Sequence, residues 1–114
     1  MECLSEERDG VAIVSPRGDV DMSTVEGFRS SLDGLLGAGL QYFVIDLSGV
    51  GMMDSTGLAA LVHLYKRVRI GEGDVTLAAV PSQVMEVLDL TRLSQVFDIY
   101  PTADDAALAI KSHD

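Results

Sequence analysis

Two adjacent hydroxyls, Ser55 and Thr56, follow the carboxylate of Asp54 and precede Gly57, where an apolar run gives way to helical spacing. Such a set can do three things. The carboxylate or Ser55 can cap the helix, accepting from its first free amides. A serine can act as a nucleophile, but no Gly-x-Ser-x-Gly elbow surrounds Ser55. His63 also lies eight residues along the same helix, about 12 Å away at 1.5 Å per residue. Third, the hydroxyls stand beside the positive end of a helix dipole, where amides and dipole favour an added phosphate. Gly57 in the first helical turn costs up to about 1 kcal/mol relative to alanine. A close approach of backbone, to a neighbouring strand or to a partner, would account for it. Met52 and Met53 precede the site, and their flexible thioethers suit a core gap or an adaptable contact surface.

The elements that must position this segment follow from periodicity. Cys3–Glu7 reads as an edge strand that turns through Asp9-Gly10, a hairpin signal, into Val11–Val14. Ser23 and Glu26 have capping-box spacing, and Val25, Phe28, Leu32, Leu35 and Leu36 recur at helical intervals up to Gly37 or Gly39. Tyr42–Leu47 is a strand buried on both faces. A second helix is expected from about Ser55 to Val68, with Leu58, Leu61, Val62, Tyr65 and Val68 as its apolar stripe. Gly71–Asp74 turns into a strand over Val75–Val80. Pro81-Ser82 opens a helix bearing Val84, Val87, Leu88 and Leu90. Phe97–Tyr100 is a last strand, and Thr102–Asp105 caps a terminal helix through about Lys111. The order β-β-α-β-α-β-α-β-α predicts one α/β domain over residues 1–114, with a small mixed, mostly parallel sheet, an N-terminal hairpin and four helices. Its functional loops belong where strands end and helices begin.

Composition narrows the function. The 114 residues carry 8 Lys and Arg against 18 Asp and Glu, a formal charge of −10, yet 47% are apolar and mean hydropathy is positive. Disorder is excluded by that hydrophobicity. Nucleic acid and anionic membrane are excluded as main partners, since both need clustered cations. The stretch Gly34–Met53 holds one charge, but Asp46 and five glycines interrupt it, unlike a spanning helix. Cys3 is the only cysteine, so neither an intrachain disulfide nor a cysteine metal site exists. No cofactor, metal or catalytic residue is expected. Met1-Glu2-Cys3 lacks the features of a signal peptide, and a cytoplasmic location is the expectation.

The run Val44-Ile45-Asp46-Leu47-Ser48-Gly49-Val50-Gly51-Met52-Met53-Asp54-Ser55-Thr56-Gly57-Leu58 resembles the central signature of STAS domains, especially the bacterial anti-sigma factor antagonists. The resemblance spans nearly the whole chain. Val11–Asp21 looks like that family's second strand and following loop. Leu77–Val80, Val87–Leu93 and Phe97–Pro101 fit its later elements. It implies that Ser55 is phosphorylated by a partner that is both anti-sigma factor and serine kinase. The unphosphorylated form would bind that partner and free a sigma factor, in transcriptional stress control. A PP2C-type serine phosphatase would reset the switch. The domain itself would not be an enzyme. Thr56 stands where many members carry a second serine. The partner-binding surface is expected to include Asp19, Asp21, Met53, Asp54, Ser55, Thr56, Gly57, Lys66 and Arg67, and a homodimer is left open.

Other assignments compete. His63, Lys66, Arg67 and Arg69 suit a solvated face with cations near a helix C-terminus, or an edge of the partner interface. Asp19 and Asp21 suit loop polarity or capping as well as partner contact. Asp46 suits a turn, and His113 a frayed tail. A receiver domain using Asp46 or Asp54 would need an acidic pair after the first strand and a lysine after a late one. The only lysines are Lys66 and Lys111. A STAS scaffold or an accessory of a stress-signalling or lipid-transport complex is the alternative to a free-standing switch.

Overall fold

The computed structural model describes residues 1–110; Lys111, where the last helix was expected to end, and His113 lie outside them. Strands β1 (Glu2–Arg8) and β2 (Val11–Arg17) form the antiparallel hairpin. Asp9 and Gly10 both take positive φ, 54° and 83°, as a two-residue turn that matches strand twist requires. Strands β3 (Tyr42–Asp46), β4 (Asp74–Ala78) and β5 (Asp98–Tyr100) extend the sheet in parallel, in the order β1-β2-β3-β4-β5. β4 ends earlier than its apolar run suggests, because Ala79 turns to φ 52°.

Helices α1 (Val25–Gly37), α2 (Ser55–Ile70) and α3 (Ser82–Leu90) cover one face of the sheet, and α4 (Ala103–Ile110) covers the other. Ala12, Val14, Phe43, Ile45, Val75 and Leu77 point toward the three-helix side, whereas Val11, Ile13, Val44 and Ala78 meet Ala106 and Ile110 of α4. Alternation along strands covered on both sides produces the continuous apolar run of β3. A 3-10 turn, Leu93–Gln95, joins α3 to β5.

Three sequence expectations need correction. The buried stripe of α2 is Leu58, Ala60, Leu61, Leu64 and Val68, with Val62 and Tyr65 only half-buried. Leu90 is 84% exposed rather than part of the packed face of α3. The capping box at Ser23 does not form: Thr24 is the N-cap of α1 without a side-chain cap bond, and Ser23 bonds to Asp21 instead. The terminal helix does start as expected, the Asp105 N–H donating to Thr102 Oγ1 at 3.1 Å.

Candidate functional site: a paired-loop platform around Ser55

Two loops leave the C-terminal ends of β2 and β3 and are stitched together by backbone hydrogen bonds. Gly18 N–H donates to Gly49 O (2.9 Å), Val20 N–H to Met52 O (2.9 Å) and Asp54 N–H to Val20 O (3.1 Å). Val20 and Met53 pair as a single parallel bridge, and both side chains are buried. The platform is therefore an extension of the sheet, not a free loop. A Cβ on Gly57 would lie 2.6 Å from Met53 Cγ and 2.9 Å from Val20 Cγ1. The glycine lets the first turn of α2 sit on that bridge, so the close approach is to a neighbouring segment of the chain itself. Met53, at 2% exposure, fills the core beneath. Met53 and Gly57 thus shape the surface from below and present no side chain to a partner.

Asp54 is the N-cap of α2 in extended conformation. Its Oδ1 accepts the Thr56 N–H at 2.9 Å, the Gly57 N–H at 3.3 Å and the Thr56 hydroxyl at 2.6 Å. These bonds hold the carboxyl below its ordinary pKa; the Thr56 hydroxyl contributes most, with the amides of Gly57, Thr56 and Met22 adding to it against a partial loss of solvent. The carboxylate thus takes the helix amides that were expected to hold a phosphate on Ser55. Ser55 itself is exposed, and its hydroxyl makes no hydrogen bond among the described residues. The two hydroxyls of the pair are therefore inequivalent.

Asp19 is exposed and Asp21 half-buried on the β2–α1 loop beside this segment. Asp21 Oδ1 accepts the Ser23 hydroxyl at 2.7 Å and the Ser23 N–H at 2.9 Å, which lower its pKa, the hydroxyl first. With Asp54, these carboxylates make the surroundings of Ser55 acidic. Lys66 lies eleven residues along α2 on the same face as Ser55, about 16 Å away at 1.5 Å per residue. Arg67 is exposed but turned from that face. Arg69 lies over the Tyr65 ring at 5.9 Å and donates to Gly73 O at 3.3 Å, and His63 lines the crease between α1 and α2. Asp46 Oδ1 accepts the Ser48 N–H, a turn role as expected. No group of three His, Cys, Asp or Glu able to hold a metal occurs among the described residues.

Sequence reasoning missed Met22, which is 79% exposed on the β2–α1 loop. Met52, 40% exposed, flanks the site from the other loop. The signal for Met22 was its place one residue after Asp21, as Ser55 follows Asp54. Nothing in the sequence alone said that the two loops were neighbours.

The STAS domain family model matches residues 3–106. The chain is a STAS domain of the anti-sigma factor antagonist family. An anti-sigma factor antagonist from Mycobacterium paratuberculosis, solved by crystallography, is 32% identical, with a TM-score of 0.88 over 96% of this chain and 93% of that one. The anti-sigma F factor antagonist of Paenibacillus polymyxa is 28% identical over 88% of this chain and 86% of its own. The antagonist SpoIIAA shares the fold at 15% identity. Its unphosphorylated form gives a TM-score of 0.85 over 99% of both chains, and its phosphorylated form, from Bacillus, 0.77 over 96% and 100%. Anti-sigma factor antagonists are non-enzymatic regulatory proteins. No helix among the described residues is long and apolar enough to cross a membrane.

Proposed function

We propose that this STAS domain is a phosphorylation-switched antagonist. Unphosphorylated, it binds an anti-sigma factor that is also its serine kinase, and so releases a sigma factor. With phosphate on Ser55 it lets that partner go. A PP2C-type serine phosphatase resets it, and the exchange takes place in the cytoplasm. The observation that carries this reading is the inequivalence of the two hydroxyls: Thr56 is bonded to Asp54 at 2.6 Å, while Ser55 is exposed and its hydroxyl makes no hydrogen bond among the described residues. Family membership and the phosphorylated form of a structural relative support it.

The physical basis of release is electrostatic. Phosphate adds about −1.5 to −2 charge at a position beside Asp54 and near Asp19 and Asp21, on a chain of −10. Asp54 already occupies the Thr56 and Gly57 amides, so the new charge is poorly compensated from within. Binding must then desolvate a dianion at the centre of the contact, and a loss of about 2.7 kcal/mol is a hundredfold in affinity. Mass spectrometry of the chain after incubation with ATP and its kinase tests the assignment. Phosphate on Ser55 and none on Thr56 is the expected outcome; an unmodified Ser55 would count against the switch.

A further inference from the structure

Two residues past the Val20–Met53 bridge, each loop of the platform turns one side chain outward. On one loop it is Ser55, and on the other it is Met22, which is 79% exposed. The two turns share a pattern. Asp21 Oδ1 accepts the N–H and hydroxyl of Ser23 at 2.9 and 2.7 Å, and Asp54 Oδ1 accepts those of Thr56 at 2.9 and 2.6 Å. Met22 and Ser55 are the residues held between. The backbone around Met22 is also fixed from both sides. The Thr24 hydroxyl donates to Asp19 O at 2.7 Å, and the Thr24 and Val25 N–H groups donate to Asp21 O at 3.0 and 2.8 Å. Single exposed apolar side chains are ordinary on a protein surface. Ile70 and Leu90, 85% and 84% exposed, are of that kind, each the last residue of its helix. Met22 differs because its loop is pinned and because Met52, 40% exposed, adds a second thioether on the adjoining loop. The setting is acidic. Asp19, Asp21 and Asp54 lie on the same two loops, and Asp19 Oδ1 would stand 2.9 Å from a Cβ on Gly51, leaning over the second. No Lys, Arg or His occurs in residues 18–28 or 42–62.

We propose that Met22 is the apolar anchor of the partner contact, filling a pocket on the anti-sigma factor that Lys and Arg side chains border. This rests on the reading of the platform as the partner-binding surface and deepens it by naming the chemistry that fits. Burying a methionine takes its apolar surface out of water, and its thioether adapts to the shape of the pocket. A loop fixed before contact loses little backbone freedom on binding, so more of that gain remains as affinity. Three carboxylates with no cation on their own loops need positive charge opposite them, because a neutral partner would desolvate them unpaired. The anchor is also tied to the switch. Ser55 holds the matching place on the adjoining turn, so a phosphate there must shed water if Met22 is to be buried.

The probe is the serine kinase that the Ser55→Ala chain retains from its native cells, identified by mass spectrometry and then expressed pure. Calorimetric titration of that protein compares wild type with Met22→Gln, Met22→Leu and Leu90→Gln, and thermal melts show that each variant folds. Met22→Gln keeps the length of the side chain but not its apolar character, and should bind about tenfold or more weakly. Met22→Leu conserves volume and apolarity and should stay within about threefold of wild type. Leu90→Gln, which removes an equally exposed apolar side chain elsewhere, should match wild type. Affinity should fall as sodium chloride rises from about 0.05 to 0.5 M, as screened charge pairs require, and by the same factor in Met22→Gln. Undiminished binding by Met22→Gln would overturn the anchor, and so would a loss of equal size in Met22→Leu or Leu90→Gln. An affinity independent of salt would overturn the cationic border. Retention of no kinase, or no phosphate on wild-type Ser55 when the retained protein is given ATP, would instead overturn the switch reading.

Discussion

Asp54 accepts three hydrogen bonds on one carboxylate oxygen at the platform, and its charge state sets how firmly α2 starts. Its pKa is lowered in the folded chain, chiefly by the Thr56 hydroxyl. A carboxylate of this kind stabilises the fold at pH values above its unfolded pKa, and that contribution is lost as pH falls through the lower, folded value. Asp54→Ala is therefore expected to melt below wild type at pH 7, with the gap narrowing as the solution is acidified through and below the ordinary carboxylate range. Thermal melts of both proteins from pH 7 downward check this; a gap that stays constant would mean that the carboxylate charge is not what matters. The tetrapeptide Asp54-Ser55-Thr56-Gly57 was legible as a helix start from residue types alone. That Asp54 rather than Ser55 is the cap, and that Thr56 bonds back while Ser55 does not, depends on the extended backbone at Asp54. Local sequence does not encode that angle uniquely.

Among the elements, strand order and helix count were readable because alternation and helical spacing are local properties, and because βα units force parallel pairing. What escaped was set by tertiary neighbours. Leu64 lies off the predicted stripe of α2, yet it is buried because that helix is covered by α1 as well as by the sheet. Leu90 continues the spacing of α3 but sits at its exposed last turn. Met22 and Met52 become neighbours of Ser55 only through the Val20–Met53 bridge between segments more than thirty residues apart. Strand β4, between β3 and β5, holds a buried hydroxyl. Thr76 is fully buried on the α4 side of the sheet, and its hydroxyl has no hydrogen-bond partner among the described residues. An isosteric apolar residue removes that desolvated hydroxyl without leaving a cavity. Thr76→Val is expected to raise stability by about 1 kcal/mol, on the scale of an unsatisfied buried hydroxyl. Urea unfolding at neutral pH reads it, and a lowered midpoint would mean that the hydroxyl has a partner in solution.

At the scale of the molecule, the charge of −10 and the positive mean hydropathy divide between surface and core. The apolar residues fill two cores, one on each face of the sheet, and the carboxylates spread over loops and outer helix faces. Among the described residues only three ion pairs form, Arg8–Glu6, Arg8–Asp104 and Arg17–Glu2, all between exposed side chains. Such pairs contribute little, so screening by salt removes more repulsion than attraction. The melting temperature is expected to rise between about 0.01 M and 0.15 M sodium chloride, where the Debye length shrinks from about 30 to 8 Å. A falling melting temperature would show that the few cations matter more than the excess of anions. The same excess makes the platform sensitive to further negative charge, and the account stands on that sensitivity. Its most direct test is calorimetric titration of the anti-sigma factor with the unmodified chain and with the chain carrying phosphoserine at position 55. The prediction is binding by the first and a loss of about a hundredfold or more in the second. Equal affinity for the two forms would contradict it.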